Sequence, residues 1–279
     1  MMSHRTAARY INGTYDINDV YDNAGRQTST TAAGRTLSYQ YDAAGNRTRT
    51  TWAEATPFYV TTDFDALNRP AVIKEMGSVN LASYAYDDLS RRATITRGNG
   101  TTTTYGYSTQ SALSSLAHDL AGTAQDISWS YNRNQVQEIT GNSWSNDSYQ
   151  WRGYTNGIRN YTNNGLNQYI NAAGASIIYD SKANLAAEGI WKYSYDADNH
   201  LTSANKIDLT TTLLYDPIGR LRQRATVGTT NAPIQSLYDG VNLIAEYDAA
   251  NILQRRFVHG PGIDEPLVQY EGVTTTNKS

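Results

Sequence analysis

In LSYQYDAAGNRTRT, residues Leu37 to Thr50, Tyr39 and Tyr41 stand two apart, and Asp42 opens a four-residue run that Gly45 closes. Side chains two apart on a strand share one face, so both rings point the same way. Asp suits the first position of a type I turn because its carboxylate accepts from a backbone N–H just ahead. Gly suits the fourth position, where φ is positive and a Cβ is unfavourable. A type I turn followed by a left-handed residue is a common β-hairpin connection with a one-residue bulge. The stretch therefore predicts strand, turn, strand.

The same unit recurs on both sides. Tyr-Asp or a close variant appears at Tyr21-Asp22, Tyr41-Asp42, Phe64-Asp65, Tyr86-Asp87, Tyr131-Asn132, Tyr179-Asp180, Tyr195-Asp196, Tyr215-Asp216 and Tyr238-Asp239. The first spacings are 20, 23 and 22 residues, with Tyr107 standing midway in the wider gap from Tyr86 to Tyr131. A fixed period of this size signals a repeat architecture in which each unit packs mainly on its neighbours. Asp22 with Gly25, Asp42 with Gly45 and Asp216 with Gly219 make the same turn, while Asp65 with Asn68 places Asn at the left-handed position. Arg or another polar residue follows the turn, and then a Thr-rich strand. The segment Leu113 to Leu120 fits either a short amphipathic helix or a continuing strand, and the repeat around it favours the strand. From Asn132 to Ile178 the spacing loosens and longer loops are expected.

Composition agrees with thin sheets. The 279 residues include 22 Tyr but only 3 Phe and 3 Met, leaving little aliphatic mass for one thick core. Net charge is -3 and no Lys/Arg run stands out, which argues against a nucleic-acid partner. With no cysteine there is neither a disulfide framework nor a thiolate metal site. No run approaches the roughly 18 apolar residues of a membrane span, and no signal peptide is visible in Met1 to Tyr10.

Candidate chemistry is sparse. His4, His118, His200 and His259 lie far apart, without metal-ligand spacing, so no metal or cofactor is expected. Asp264 and Glu265 are adjacent and face opposite ways in an extended segment; they read as surface or turn residues rather than an acid–base pair. Asp216-Pro217-Ile218-Gly219 falls in step with the other Tyr-Asp turns and reads as a turn. No hydrolase elbow, P-loop or dinucleotide fingerprint appears, so no catalytic residue is assigned and the chain is expected not to be an enzyme. Trp129, Trp144, Trp151 and Trp191 carry two readings. As flat apolar rings they are candidates for stacking on sugars; in register with the Tyr pairs they stack on the next hairpin. Trp144, outside the register, is the best carbohydrate candidate.

The Y-D-x-x-G-R/N units resemble the YD repeats of Rhs proteins, teneurins and the C components of Tc toxins. Tyr238 to Leu267, YDGVNLIAEYDAANILQRRFVHGPGIDEPL, is similar to the end of the repeat array in bacterial Rhs proteins, and Tyr161 to Asn171, YTNNGLNQYIN, also looks like that family. The resemblance covers roughly residues 15 to 270. It implies an all-β fold, a spiralling array of antiparallel YD-repeat hairpins forming part of a β-cocoon or barrel-like wall around a C-terminal toxin. The family's self-cleaving aspartyl protease element has no counterpart before Ser279, so a fragment ending just before the Rhs-associated core closes is expected.

The expected organisation is a lead-in over 1–14, the repeat array over 15–237, and a terminal Rhs-core-like repeat with a tail over 238–279. The expected function is a structural shell segment of a polymorphic toxin that encloses or displays an effector in a longer parent chain. A cell-surface carbohydrate-binding module is the alternative, with glycans as partners. A secreted or bacterial cell-surface location follows from the resemblance. Sheet ends at Tyr10 to Thr14 and Leu267 to Tyr270 lack Pro or Lys protection, so self-association through open edges is expected.

Overall fold

The computed structural model describes residues 6–9, 15–54, 56–120, 122, 124–229 and 232–279. Tyr10 to Thr14, and with them the proposed first edge, lie outside these. The described residues form two antiparallel sheets, one of 13 strands and one of 12, each with its strands in simple sequence order. Neither sheet closes on itself as a barrel. Leu113–Asp119 is a strand paired with Thr102–Tyr107 and Ile127–Arg133, so the repeat overrides the local helical spacing there.

The turns explain the order. At the Tyr-Asp units the register slips by one residue, as between Val20 and Tyr21 or Gln40 and Tyr41, whereas at Tyr131-Asn132 the slip and the turn fall two residues later, at Arg133-Asn134. The Gly45 N–H donates to the Asp42 carbonyl at 3.2 Å, and the Asp42 N–H donates to the Asn46 carbonyl at 3.0 Å. Gly45 sits at φ +91° and Asn68, at the same place in its own unit, at +59°. Gly25 and Gly219 are likewise left-handed, at +77° and +85°. Such tight connections force each strand to pair with the one just made.

The core is formed where the two ends of the chain meet. Along Arg35–Tyr41 burial alternates, with Arg35, Leu37 and Tyr39 turned inward. They join Ile73, Leu81, Tyr84 and Ile95 in one cluster with Leu237, Ile244, Tyr247, Leu253, Val258 and Tyr270. The last four strands thus pack face to face on the first sheet. Between Ser128 and Tyr215 no residue is buried. That middle stretch is a single layer of sheet, held by its ladders and by contacts between adjacent hairpins.

The array has one seam. The first sheet ends at Ile139–Trp144 and the second begins at Tyr161–Asn163, with a single 3-10 turn at Asp147–Tyr149 and irregular backbone over 151–160. The far end departs from the expectation of an open edge. Pro266–Glu271 pairs on one side with Leu253–His259. On its other side the Gln269 and Ser279 backbones exchange hydrogen bonds at 2.9 and 3.0 Å, and the Glu271 N–H donates to the Asn277 carbonyl. Leu267 and Tyr270 are buried rather than exposed.

Candidate functional site

The most repetitive chemistry lies in a column of turns. In the first unit the Asp22 carboxylate accepts from the Ala24 and Arg26 N–H groups, each at 2.9 Å, and from Arg26 Nε at 2.8 Å. Asp65 with Arg69, Asp87 with Arg91 and Asp216 with Arg220 repeat the arrangement. These bonds favour the ionised form. The Arg26 N–H is the largest cause holding the Asp22 carboxyl below the usual carboxylate range. For Asp42 it is the Asn46 side chain, and for Asp87 the Arg91 side chain. Asp216 is buried, with Ile218 N–H and Arg220 N–H on one oxygen and Arg220 Nε on the other, so its carboxylate is fully engaged in the turn.

Each arginine then reaches the next hairpin. Arg26 lies over the Tyr41 ring at 5.0 Å, Arg69 over Tyr86 at 4.3 Å, Arg91 over Tyr107 at 4.4 Å and Arg220 over Tyr238 at 4.8 Å. Each of those tyrosines donates its hydroxyl back to the carbonyl of the residue just after the arginine: Tyr41 to Gln27 at 2.7 Å, Tyr86 to Pro70 at 2.8 Å, Tyr107 to Arg92 at 2.9 Å, Tyr238 to Leu221 at 2.8 Å. Where arginine is replaced, the link persists in another form. His200 stacks on Tyr215 at 4.6 Å, and Asn46 donates to the Asn68 side chain at 2.9 Å. Each such contact is worth roughly 0.5–1.5 kcal/mol, and they recur at successive units.

The two tyrosines of a unit have different tasks. The second, as Tyr41, joins adjacent hairpins. The first, as Tyr39, is buried and donates to Asp239 Oδ1 at 2.9 Å across the core, with Arg47 ion-paired to Asp239 at 2.8 Å. Tyr84 faces Glu265 similarly, and Arg92 pairs with Glu265 at 2.9 Å. Glu265 therefore departs from its reading as a surface or turn residue. Its other oxygen accepts from the Gly262 N–H at 2.7 Å, fixing the His259-to-Glu265 loop against the first sheet. Asp264 stays exposed at a left-handed position, φ +50°. Tyr193 and Tyr195, in the single-layer region, are only half-buried.

The tryptophans do not gather into one site. Trp129 and Trp144 lie opposite each other on neighbouring strands, and Trp129 meets His118 edge-on at 5.5 Å. Trp144 is 44% exposed and donates Nε1–H to Asp147 at 2.8 Å. Trp151 is 75% exposed and tilts against Tyr154 at 6.2 Å. Trp191 belongs to the second sheet, stacked on Tyr193 with Lys206 over its ring at 4.7 Å.

A cavity of about 220 Å³ lies between the packed sheets, lined by Trp52, Ile73, Ile244 and Phe257, with Arg47, Asp239 and His259 as its ionisable groups. Two of these are committed to each other, and His259 Nε2 lies 2.7 Å from the Leu243 carbonyl. That distance makes Nε2 the protonated nitrogen and leaves Nδ1 without a partner. Among the described residues no group of three His, Asp or Glu side chains is gathered closely enough to hold a metal ion.

Sequence reasoning placed Arg or another polar residue after each turn but assigned it no partner. The available signal was the recurrence of Arg four residues beyond the Asp, at 26, 69, 91 and 220, always one unit before an aromatic.

Turn column and sheet order together define a tandem antiparallel hairpin-repeat protein. Residues 21–56 match the model of the RHS Repeat family, so that stretch carries an RHS repeat. No curated protein matches it in sequence. Among solved structures it is similar to a chain of TcdB2-TccC3-Cdc42, at 12% identity over 94% of this chain and 21% of that one, with a TM-score of 0.32. It is similar also to the Photorhabdus luminescens Tc holotoxin pore, at 13% identity over 87% and 19%, with a TM-score of 0.31. A porin-like protein from Bacteroides uniformis shares 11% identity over 94% and 92%, with a TM-score of 0.21. The chain spans about a fifth of the length of the Tc structures it matches. No helix among the described residues is long and apolar enough to cross a membrane.

Proposed function

We propose that this chain is a length of structural wall that encloses or displays an effector domain of a longer Rhs-type polypeptide at a secreted or cell-surface location, and that it performs no catalysis of its own. The observation that carries the reading is the turn column. Its Asp, Arg and Tyr groups, the most reactive recurrent side chains in the sequence, are engaged with one another or with the next hairpin. General acid–base or nucleophilic work needs such groups free and converging on a substrate. A reporter domain fused after Ser279 tests enclosure. Protease resistance present in the fusion and absent from the free reporter supports a wall around it, whereas digestion at the free rate leaves display. A wall also stays one band of 30.8 kDa on storage. Self-cleavage that Asp216→Asn abolishes would replace this reading with an autoprotease.

Glycan recognition is the second reading, favoured by the exposure of Trp151 and Trp144. A glycan array and a tryptophan-fluorescence titration test it, with Trp151→Ala and Trp144→Ala expected to remove any binding.

A further inference from the structure

Among the described residues the two sheets present four outer edges, and three are blunted. Ala7–Ala8 is two residues long and Tyr161–Asn163 three. Pro266–Glu271 is covered by residues 277–279. The fourth, Ile139–Trp144, is a six-residue strand, ITGNSW, with neither charge nor proline. After Trp144 the chain turns back over the preceding hairpin: Asn146 donates to the Ala124 and Asp126 carbonyls, and Tyr149 to Gln125. It therefore leaves the outer edge uncovered. Ile139 and Trp144 are exposed on it. Exposed edges with these properties are templates for another strand.

The register shows which groups are free. The Ser145 N–H donates inward to the Ser128 carbonyl, and Ser143 stands opposite Ser130 in the same ladder. In an antiparallel ladder alternate residues direct both backbone groups to the same side, so those of Asn142 and Trp144 point outward.

We propose that Ile139–Trp144 is an interface to a second copy of this chain, the two strands pairing antiparallel about a two-fold axis at Asn142. The strand is self-complementary in that register. Asn142 faces Asn142 and exchanges both backbone hydrogen bonds with it, and Trp144 of each copy meets the one-residue bulge at Thr140 of the other. Glu138 lies outside the paired strands, so no like charges are opposed. Such a contact is isologous and closes at two chains, whereas pairing with the Tyr161–Asn163 edge would be head-to-tail and open-ended. The inference does not depend on what the wall holds.

Light scattering over a concentration series tests it. The native chain should rise from 30.8 kDa toward twice that mass and stop there. Asn142→Lys and Asn142→Asp should each stay at one chain, because each puts like charges face to face on the axis. An equimolar mixture of the two should regain the double mass, which misfolded variants would not do. Tyr161→Pro, which removes an outward N–H from the other edge, should leave the dimer intact. A single-chain mass at every concentration, growth beyond two chains, no recovery on mixing, or loss of association in Tyr161→Pro alone would each overturn the proposal.

Discussion

Arg256 holds Glu54 across the core with two hydrogen bonds, Nε to Oε1 at 2.8 Å and Nη2 to Oε2 at 2.5 Å, although 202 residues separate them. The guanidinium also lies 3.8 Å from the Phe58 ring centroid and is 1% exposed. Beside it Tyr270 donates to Glu75 at 2.6 Å, and Lys278 pairs with the same carboxylate at 3.0 Å. Arg35 donates to Gln235 and Asn251 while its guanidinium lies over Tyr247. The ends of the array are thus fastened by charged groups set within an apolar cluster.

Removing one member of the Glu54–Arg256 pair leaves the other charge without its partner. Glu54→Ala should lower unfolding free energy by about 3 kcal/mol or more in urea titrations. Replacing both, as Glu54→Leu with Arg256→Met, should recover much of that loss, because two desolvated charges are then exchanged for packed apolar groups.

Gly45→Val separates backbone strain from crowding. A Cβ at Gly45 meets nothing within 4 Å, so the cost at the Cβ comes from φ +91°. We expect a loss of about 1 kcal/mol or more, seen as a lower urea midpoint with an unchanged slope.

The turn carboxylates set the acid limit. The turn hydrogen bonds hold the carboxyls of Asp22, Asp42, Asp65 and Asp87 below the usual carboxylate range. A depressed folded pKa contributes stability that is present above the unfolded value and lost as pH falls through the folded one. Urea midpoints should therefore stay level down to about pH 5 and fall steeply below about pH 4. Asn replacement at two or more of these positions should flatten that fall.

Tyrosines set the alkaline limit. Burial first, and then Asp239, raises the pKa of Tyr39; burial and Glu265 raise Tyr84; burial and the hydrogen bond to Glu75 raise Tyr270. A raised folded pKa gives stability that is complete below the unfolded value and lost as pH rises above it. Stability should decline from about pH 10 upward, and part of the tyrosinate absorbance should appear only with unfolding.

What was legible in the sequence is what short-range geometry decides. Asp42 and Gly45 state a turn within four residues, and repeated copies of that turn leave antiparallel order as the simple outcome. The tyrosine pairs pointed to one face, yet not to their division of labour: opposite the bulge at Thr48 on the facing strand, Tyr41 bonds to the previous hairpin while Tyr39 remains in the core. The pairing of Arg256 with Glu54, or of Arg92 with Glu265, depends on how far the sheet curves before its ends meet. Many small twists sum to that curvature, and no local motif records it. The inward turn of Glu265 was missed for this reason, as was the cover over Leu267 to Tyr270.

Amide hydrogen exchange, followed by mass spectrometry in the native chain and in Arg256→Ala, tests most directly whether the two ends form one cooperative core. The account predicts slow exchange in Arg35–Tyr41, Val79–Tyr86, Asn242–Tyr247 and Leu253–His259, fast exchange across 139–163, and, in the variant, acceleration of both ends together. Acceleration confined to Asn242–Tyr247 and Leu253–His259, with Arg35–Tyr41 and Val79–Tyr86 unchanged, would contradict it.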